Sequence, residues 1–166
     1  MVVGTPGVGR EDMPAAIGAR LEAAAFNVHR DHARAEAELL AAQQAAPDYL
    51  PAYYALYKFY FYRHRLQDAR QIALQGLRRS AALGGFDADW KCLDAGSADW
   101  RRDDGAVHFY LFTLKALAFI SLRSGEPQAC RELLDKLAEL DPGDLVGASV
   151  IRELAAGAAQ TDGLKA

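Results

Sequence analysis

The chain has 166 residues, which is typical of one domain, and it carries a formal net charge of −3 with a pI near 5.8. This acidic balance argues against a nucleic-acid ligand, which usually requires a basic face. Its two cysteines, Cys92 and Cys130, fit neither a disulfide framework nor a zinc-ligand spacing, so we expect a reduced, cytoplasmic location. The N-terminus MVVGTPGVGRED lacks the apolar region of a signal peptide, and no apolar run reaches the roughly 18 residues of a membrane span.

Four blocks of the chain have a helical composition. They are rich in residues that favour helices, and they cover about 13–47, 50–83, 107–140 and 145–156. The second block stops at Gly84-Gly85, a pair typical of a helix C-terminus, and the third has a break at 124–127. No segment alternates with a period of two between turns, so we expect no strands. The sequence therefore predicts an all-α domain over 13–156, between flexible tails at 1–12 and 157–166.

Two fixed shifts align these blocks with one another. A shift of 34 residues places Ala35 on Ala69, and a further shift of 61 places Ala69 on Cys130. Together the two shifts carry Pro47 onto Pro142. Self-similarity at such a period is typical of helical repeat proteins, in which small residues lie where helices approach closely. The matches predict three repeats, at 16–49, 50–83 and 111–144. An insertion at 84–110 separates the second repeat from the third.

The third repeat carries the fullest pattern of large, small and closing residues, at Leu114, Leu117, Ala118, Gly125, Cys130, Leu134 and Pro142. With this pattern the chain resembles the tetratricopeptide repeat family. The other repeats depart from it: Tyr57 replaces a small residue in the second, and Glu22 replaces a leucine in the first, which keeps Phe26. The resemblance implies an α-solenoid of about three helix pairs. A capping helix at 145–156 would follow them, with Val146, Val150 and Leu154 facing inward.

The segment YYALYKFYFY (53–62) is the densest aromatic stretch of the chain. At 100° per residue, Tyr54, Lys58 and Phe61 share one helix face, with Tyr62 beyond them. In the family that face lines a concave groove that binds partner segments. An alternative is that the whole segment is core, but Lys58 argues against this because burying a charge is costly.

Carried over to all three repeats, the resemblance implies a basic and aromatic groove formed by Arg20, Asn27, Tyr54, Lys58, Phe61, Tyr62, Lys115, Phe119 and Arg123. Such a groove is suited to a protein or peptide with acidic and apolar side chains.

The insertion contains the sequence FDADWKCLDAGSADWRRDDG, in which Trp90 and Trp100 lie in two similar pieces. Three interpretations are open. Its indoles pack the loop onto the repeats, or the loop is a lid or second contact surface, or acidic residues such as Asp103 and Asp104 mask the basic groove.

No motif in the chain predicts catalysis. The N-terminal GTPGVGR lacks the Gly-Lys-Ser/Thr ending of a phosphate loop, and His29 and His32 have no partner that completes a metal site. We therefore expect no catalytic residues, no metal and no cofactor. The predicted function is that of a non-enzymatic adaptor. The alternatives are a dedicated chaperone for one client protein and a structural subunit of an oligomer.

Overall fold

The computed structural model describes residues 15–163, with side chains as far as Gln160. Seven α-helices make up this part of the chain: α1 (Ala15–Asn27), α2 (His32–Ala45), α3 (Leu50–Tyr62), α4 (Leu66–Gly84), α5 (Gly105–Arg123), α6 (Pro127–Leu140) and α7 (Ser149–Gly163). One turn of 3-10 helix, Trp90–Cys92, lies between α4 and α5. The described residues contain no strand, so the prediction of an all-α protein is confirmed.

The helices pack as a stack of hairpins. Short connections join α1 to α2, α3 to α4 and α5 to α6, and the two helices of each pair pack on each other. The rings of Tyr54 and Phe112 are in contact, and so are those of Phe61 and Phe119, which lie seven residues further along both helices. Helices α3 and α5 therefore run in the same direction, as expected for corresponding helices of neighbouring repeats.

Small residues lie where the helices come closest. Ala35, Ala69 and Cys130, which the two sequence shifts align, are all 0% exposed, so their predicted burial is confirmed. On α4, a Cβ atom added at Gly76 would lie 3.2 Å from Tyr53 Cβ and 3.3 Å from Phe109 Cε1. The absence of a side chain at Gly76 is what allows α3, α4 and α5 to meet there.

Helix α5 is the central helix of the core. Phe109, Tyr110, Leu111 and Leu114 on this helix are fully buried. By length and composition alone α5 is the one described helix that could cross a membrane, but just over half of it is buried inside the molecule. Because it packs against α3, α4, α6 and α7, its apolar composition is explained by its central position.

The segment between α4 and α5 is packed on the core. It spans 85–104, since α5 begins at Gly105, two residues before the predicted start of that helical block. Trp100 is buried, its ring lies 5.2 Å from that of Phe86, and its indole N–H donates to Asp94 O at 2.8 Å. The Tyr110 hydroxyl donates to Ala88 O at 2.9 Å. These contacts agree with the packing interpretation for Trp100, whereas Trp90 is only partly buried.

The C-terminal helix begins and ends later than predicted. Buried Asp141 accepts the N–H groups of Leu145 and Val146, and this turn delays the start of α7 to Ser149. The helix then continues to Gly163, so the prediction of a flexible tail from 157 is wrong for these residues. The alanine-rich composition of this segment favours the helix.

The predicted inward face of the C-terminal helix is also wrong in part. Val146 is buried, but it lies in the preceding turn and does not set the phase of the helix. Ile151 therefore faces the core, while Val150 and Leu154 are exposed.

The first helix pair also departs from the repeat pattern. Phe26 is 65% exposed, and the guanidinium of Arg30 lies 4.6 Å from the centre of its ring. Within the described residues no helix precedes α1 and packs on this ring. The predicted tail at 1–12 lies outside the described residues.

Candidate functional site

A cavity of about 250 Å3 lies between α3, α5 and the start of α7. Six aromatic residues line it: Tyr54, Tyr57, Phe61, Tyr62, Phe112 and Phe119. The small and aliphatic residues of the wall are Ala116, Ile120, Gly147, Val150 and Ile151. Two lysines, Lys58 and Lys115, complete it.

The spacing of residues on the helices builds this wall. On α3, Tyr54, Lys58 and Phe61 lie at positions i, i+4 and i+7, which share one face of a helix. On α5, Phe112 and Phe119 repeat the spacing of seven. Because the two helices run in parallel, rings on α3 contact rings on α5 at the same level along the helix axes.

These rings are in direct contact across the two helices. The ring centres of Tyr54 and Phe112 are 5.6 Å apart in an edge-to-face arrangement, and those of Phe61 and Phe119 are 5.0 Å apart. Aromatic pairs at such distances stabilise beyond the effect of burial alone, by about 0.5–1.5 kcal/mol. The wall is therefore held in shape before any ligand binds.

Lys58 is exposed at the rim of the cavity. Its ammonium lies 5.5 Å from the ring centre of Tyr54 and 5.9 Å from that of Tyr62. A cation over an aromatic face gains only about 0.5–1 kcal/mol at such a site. The charge of Lys58 thus remains accessible to an anionic group.

Lys115 has a different environment. It is half-buried, its ammonium lies 4.6 Å from the ring centre of Phe112, and it donates a hydrogen bond to Val146 O. Burial lowers the pKa of Lys115, and the nearby Asp144 carboxylate opposes that shift. Lys115 therefore connects α5 to the turn before α7. It holds in place the third wall of the cavity, which consists of Gly147, Val150 and Ile151.

Arg123 lies at the C-terminal end of α5, exposed, with its guanidinium 5.9 Å from the ring centre of Phe61. Among the described residues, none of Lys58, Lys115 and Arg123 forms an ion pair with a carboxylate. The cavity thus combines an apolar interior with Lys58 at its rim, and Arg123 lies near it without lining the wall. Neither of these two cations forms an ion pair with a carboxylate of the described residues.

Three predicted groove residues do not line the cavity: Arg123 lies close to it, and two others lie elsewhere. Arg20 pairs with Glu38 of α2 at 3.2 Å, and the Asn27 amide donates to Ala23 O at 2.8 Å within its own helix. Neither residue lines the cavity. The reason is that α1 packs mainly on α2, whereas the cavity forms between α3 and α5.

The predicted insertion residues do not line the cavity either. Asp104 immediately precedes α5 and pairs with Arg102 at 3.0 Å, while Asp103 is exposed. Trp100 lies beside Tyr110 near the start of α5, and Trp90 lies beside α6, whereas the cavity lies beside the middle and C-terminal half of α5. In this arrangement the acidic insertion does not cover the basic rim.

Sequence reasoning did not identify several residues of the wall. Phe112 could have been found, since it precedes Phe119 by the same seven residues that separate Tyr54 from Phe61. The contribution of Gly147 and of Val150 and Ile151 on α7 had no comparable signal, because it depends on how the turn at 141–148 folds back.

The polar side chains of the cavity wall are two lysines and three tyrosines. Its charged lining groups are two ammonium groups, and no carboxylate faces them from the wall. Among the described residues no group of three or more His, Cys, Asp or Glu side chains is placed to hold a metal ion. The wall can therefore bury an apolar side chain and attract an anion beside it.

Comparisons with known proteins gave one similar relative. No protein-family model and no solved structure matches the chain. The chain is 38% identical over 127 residues to the "Uncharacterized 19.8 kDa protein in nifW 5'region" of Azotobacter chroococcum mcd 1, an alignment that covers 74% of this chain and 70% of that protein. The chain therefore belongs to the same family as this Azotobacter protein.

Proposed function

We propose that the protein is a tetratricopeptide-like, non-enzymatic adaptor that binds a segment of another protein in the cavity between α3, α5 and α7. The observation that carries this proposal is an aromatic cavity with two exposed cations beside it, Lys58 and Arg123, which form no ion pair within the described residues. The bound segment has an apolar anchor with acidic residues beside it.

The two features of the site make different contributions. Burial of one large apolar side chain stabilises a complex by roughly 1.5–3 kcal/mol, since the gain follows the area removed from water. Lys58 and Arg123 add attraction and orientation, which salt screens over about 8–10 Å. Binding therefore depends on shape for affinity and on charge for the choice of partner.

The name of the relative suggests the first partner to test. That protein is encoded in the 5' region of nifW. The nifW product is therefore a specific candidate for the bound protein.

The exposed free thiol of Cys92 suits the reduced cytoplasm, where we place the complex.

A second candidate function is that of a structural subunit in a homo-oligomer. Tyr62 and Val150 lie on opposite sides of the cavity and are 55% and 39% exposed, respectively. A second copy that covers this rim would bury both. Such an interface would be permanent, whereas an adaptor exchanges its partner.

Site-specific photo-crosslinking distinguishes these functions. A photoreactive phenylalanine analogue replaces Tyr62 at the rim, and a control replaces Phe26 on α1, which is at least as accessible. In the native host we expect position 62 to form one adduct with a different protein and position 26 to form none. Purified nifW product is then added as the first defined partner.

Two results would contradict the adaptor. An adduct of twice the mass of the chain, with a stable dimer in sedimentation, would favour the structural subunit. Equal and diffuse labelling at positions 62 and 26 would show that the cavity has no specific partner.

A further inference from the structure

We propose that the segment bound in the cavity is an acidic amphipathic helix, rather than an extended peptide or a chain terminus. This inference rests on the proposed function and adds the conformation and charge of the partner segment. It follows from the hydrogen-bonding capacity of the wall, from its geometry and from its charge.

The wall offers few partners for the N–H and C=O groups of a peptide backbone, since its polar side-chain groups are two ammonium groups and three tyrosine hydroxyls. It is formed by the side chains of α3, α5 and α7 and by Gly147, and the backbone groups inside a helix are already bonded to each other. Lys115, one of the two charged wall residues, already donates to Val146 O. An extended segment would bury unpaired N–H and C=O groups on this wall, which costs about 1–3 kcal/mol for each. A helix satisfies these groups internally and presents only side chains.

The geometry of the wall matches the repeat of a helix. The two ring contacts between α3 and α5 are seven residues apart, which corresponds to roughly 10 Å along a helix axis. Apolar side chains at i, i+3 or i+4, and i+7 of a bound helix span the same length. On α7, Val150 and Leu154 are exposed one turn apart and extend the apolar surface beside the cavity.

The charge of the rim selects an acidic helix. Lys58 lies beside the rings of Tyr54 and Tyr62, and Arg123 lies beside Phe61 at the end of α5. Both cations stand at the edge of the apolar surface, where the flanks of a bound helix pass. Glu or Asp residues on those flanks would pair with them, whereas Lys or Arg would be repelled.

The test is a selection from a displayed library of random 16-residue peptides on the full-length protein. Peptides that also bind the double variant Lys58→Glu/Phe61→Ala are removed, so the survivors require the cavity. We expect their apolar residues to recur every three or four positions, with Asp and Glu between them. Circular dichroism should show a gain in helix when such a peptide binds.

A proline variant of the selected peptide tests the conformation directly. Proline at a central, solvent-facing position of that peptide should weaken binding at least tenfold, while alanine at the same position should change it less than threefold. Two results would contradict a helical segment without contradicting the adaptor function. One is survivors with apolar residues at every second position, and the other is equal binding of the proline and alanine variants. A library without any peptide that discriminates the wild type from the double variant would overturn the adaptor itself, and the helix with it.

Discussion

The ring of Phe61 on α3 lies 5.0 Å from the ring of Phe119 on α5, and both rings line the cavity. The contact joins the second helix pair to the third. It also leaves both residues only partly buried, so that a ligand can still cover them. The pair therefore belongs to the core and to the binding surface at once.

The variant Phe61→Ala should weaken binding of a selected peptide about tenfold, because it removes apolar contact area. The loss should be the same at low and high salt, since it does not depend on charge. Titration calorimetry at both salt concentrations measures it. The control Phe26→Ala truncates a ring on α1 that lies outside the cavity and should leave binding unchanged. A loss at Phe61 that vanishes at high salt would contradict this role.

Charge reversal at Lys58 should weaken binding of the same peptide about tenfold at low salt and less at high salt. Lys91→Glu is the matched control, because Lys91 is also exposed and also lies over a ring, that of Trp90, but is far from the cavity wall. Affinities at 50 mM and 500 mM salt separate the two variants. Equal effects of both reversals on affinity would mean that binding depends only on the net charge of the protein.

Lys115→Ala should release the third wall of the cavity. The variant loses the hydrogen bond to Val146 O, and a charged hydrogen bond contributes about 1.5–3 kcal/mol. We expect a lower melting temperature and faster amide hydrogen exchange over 146–152, with no change in α2. Unchanged exchange in this segment would show that Lys115 does not hold it. Because the Lys115 side chain is half-buried, reversing its charge should lower the free energy of unfolding as well as the affinity for a peptide.

Gly76→Leu should destabilise the protein by several kcal/mol, because a side chain there meets Tyr53 and Phe109 where three helices converge. The matched control is Gly157→Ala on α7, where an added Cβ meets no atom within 4 Å. That variant should be as stable as the wild type or slightly more stable, since alanine inside a helix is more favourable than glycine by about 0.5–1 kcal/mol. Chemical denaturation measures both. A Gly76 variant as stable as the wild type would contradict the packing described for α3, α4 and α5.

Acidification should destabilise the protein through Glu36 on α2. The guanidinium of Arg65 at 2.7 Å holds the pKa of Glu36 below its ordinary 4.5 in spite of burial, and the Tyr60 hydroxyl adds a second hydrogen bond. A lowered pKa in the folded state means that this stabilisation is complete above pH 4.5 and is lost as the pH falls through the folded-state pKa. Glu36→Gln should therefore be less stable than the wild type at pH 7, and the difference should shrink toward pH 3.

Denaturation curves at several pH values measure this difference. Glu153→Gln removes one carboxylate on α7 without touching the network and controls for net charge. A difference between wild type and Glu36→Gln that grows on acidification would contradict the assignment.

Much of the fold follows from local signals in the sequence. Helix-forming composition, the Gly84-Gly85 pair and the absence of two-residue alternation are properties of neighbouring residues. They predict the start of α3, the end of α4 and the bounds of α5 and α6 to within a few residues. The aligned small residues Ala35, Ala69 and Cys130 predict where helices touch, because only small side chains fit there. Half of the cavity follows in the same way, since Tyr54, Lys58 and Phe61 share a helix face whatever the helix packs against.

The remaining features depend on contacts between distant segments. Asp141 binds the turn before α7, and Lys115 binds Val146, so the third wall of the cavity exists only after α5, α6 and α7 have packed. The packing of α1 on α2 likewise removes Arg20 from the predicted groove. The sequence by itself determined the all-helical class, the buried small residues and the aromatic face of α3, because each depends on local periodicity and side-chain size. Only the tertiary structure decided which faces meet around the cavity, because that depends on helix phase and on hydrogen bonds between residues far apart in the chain.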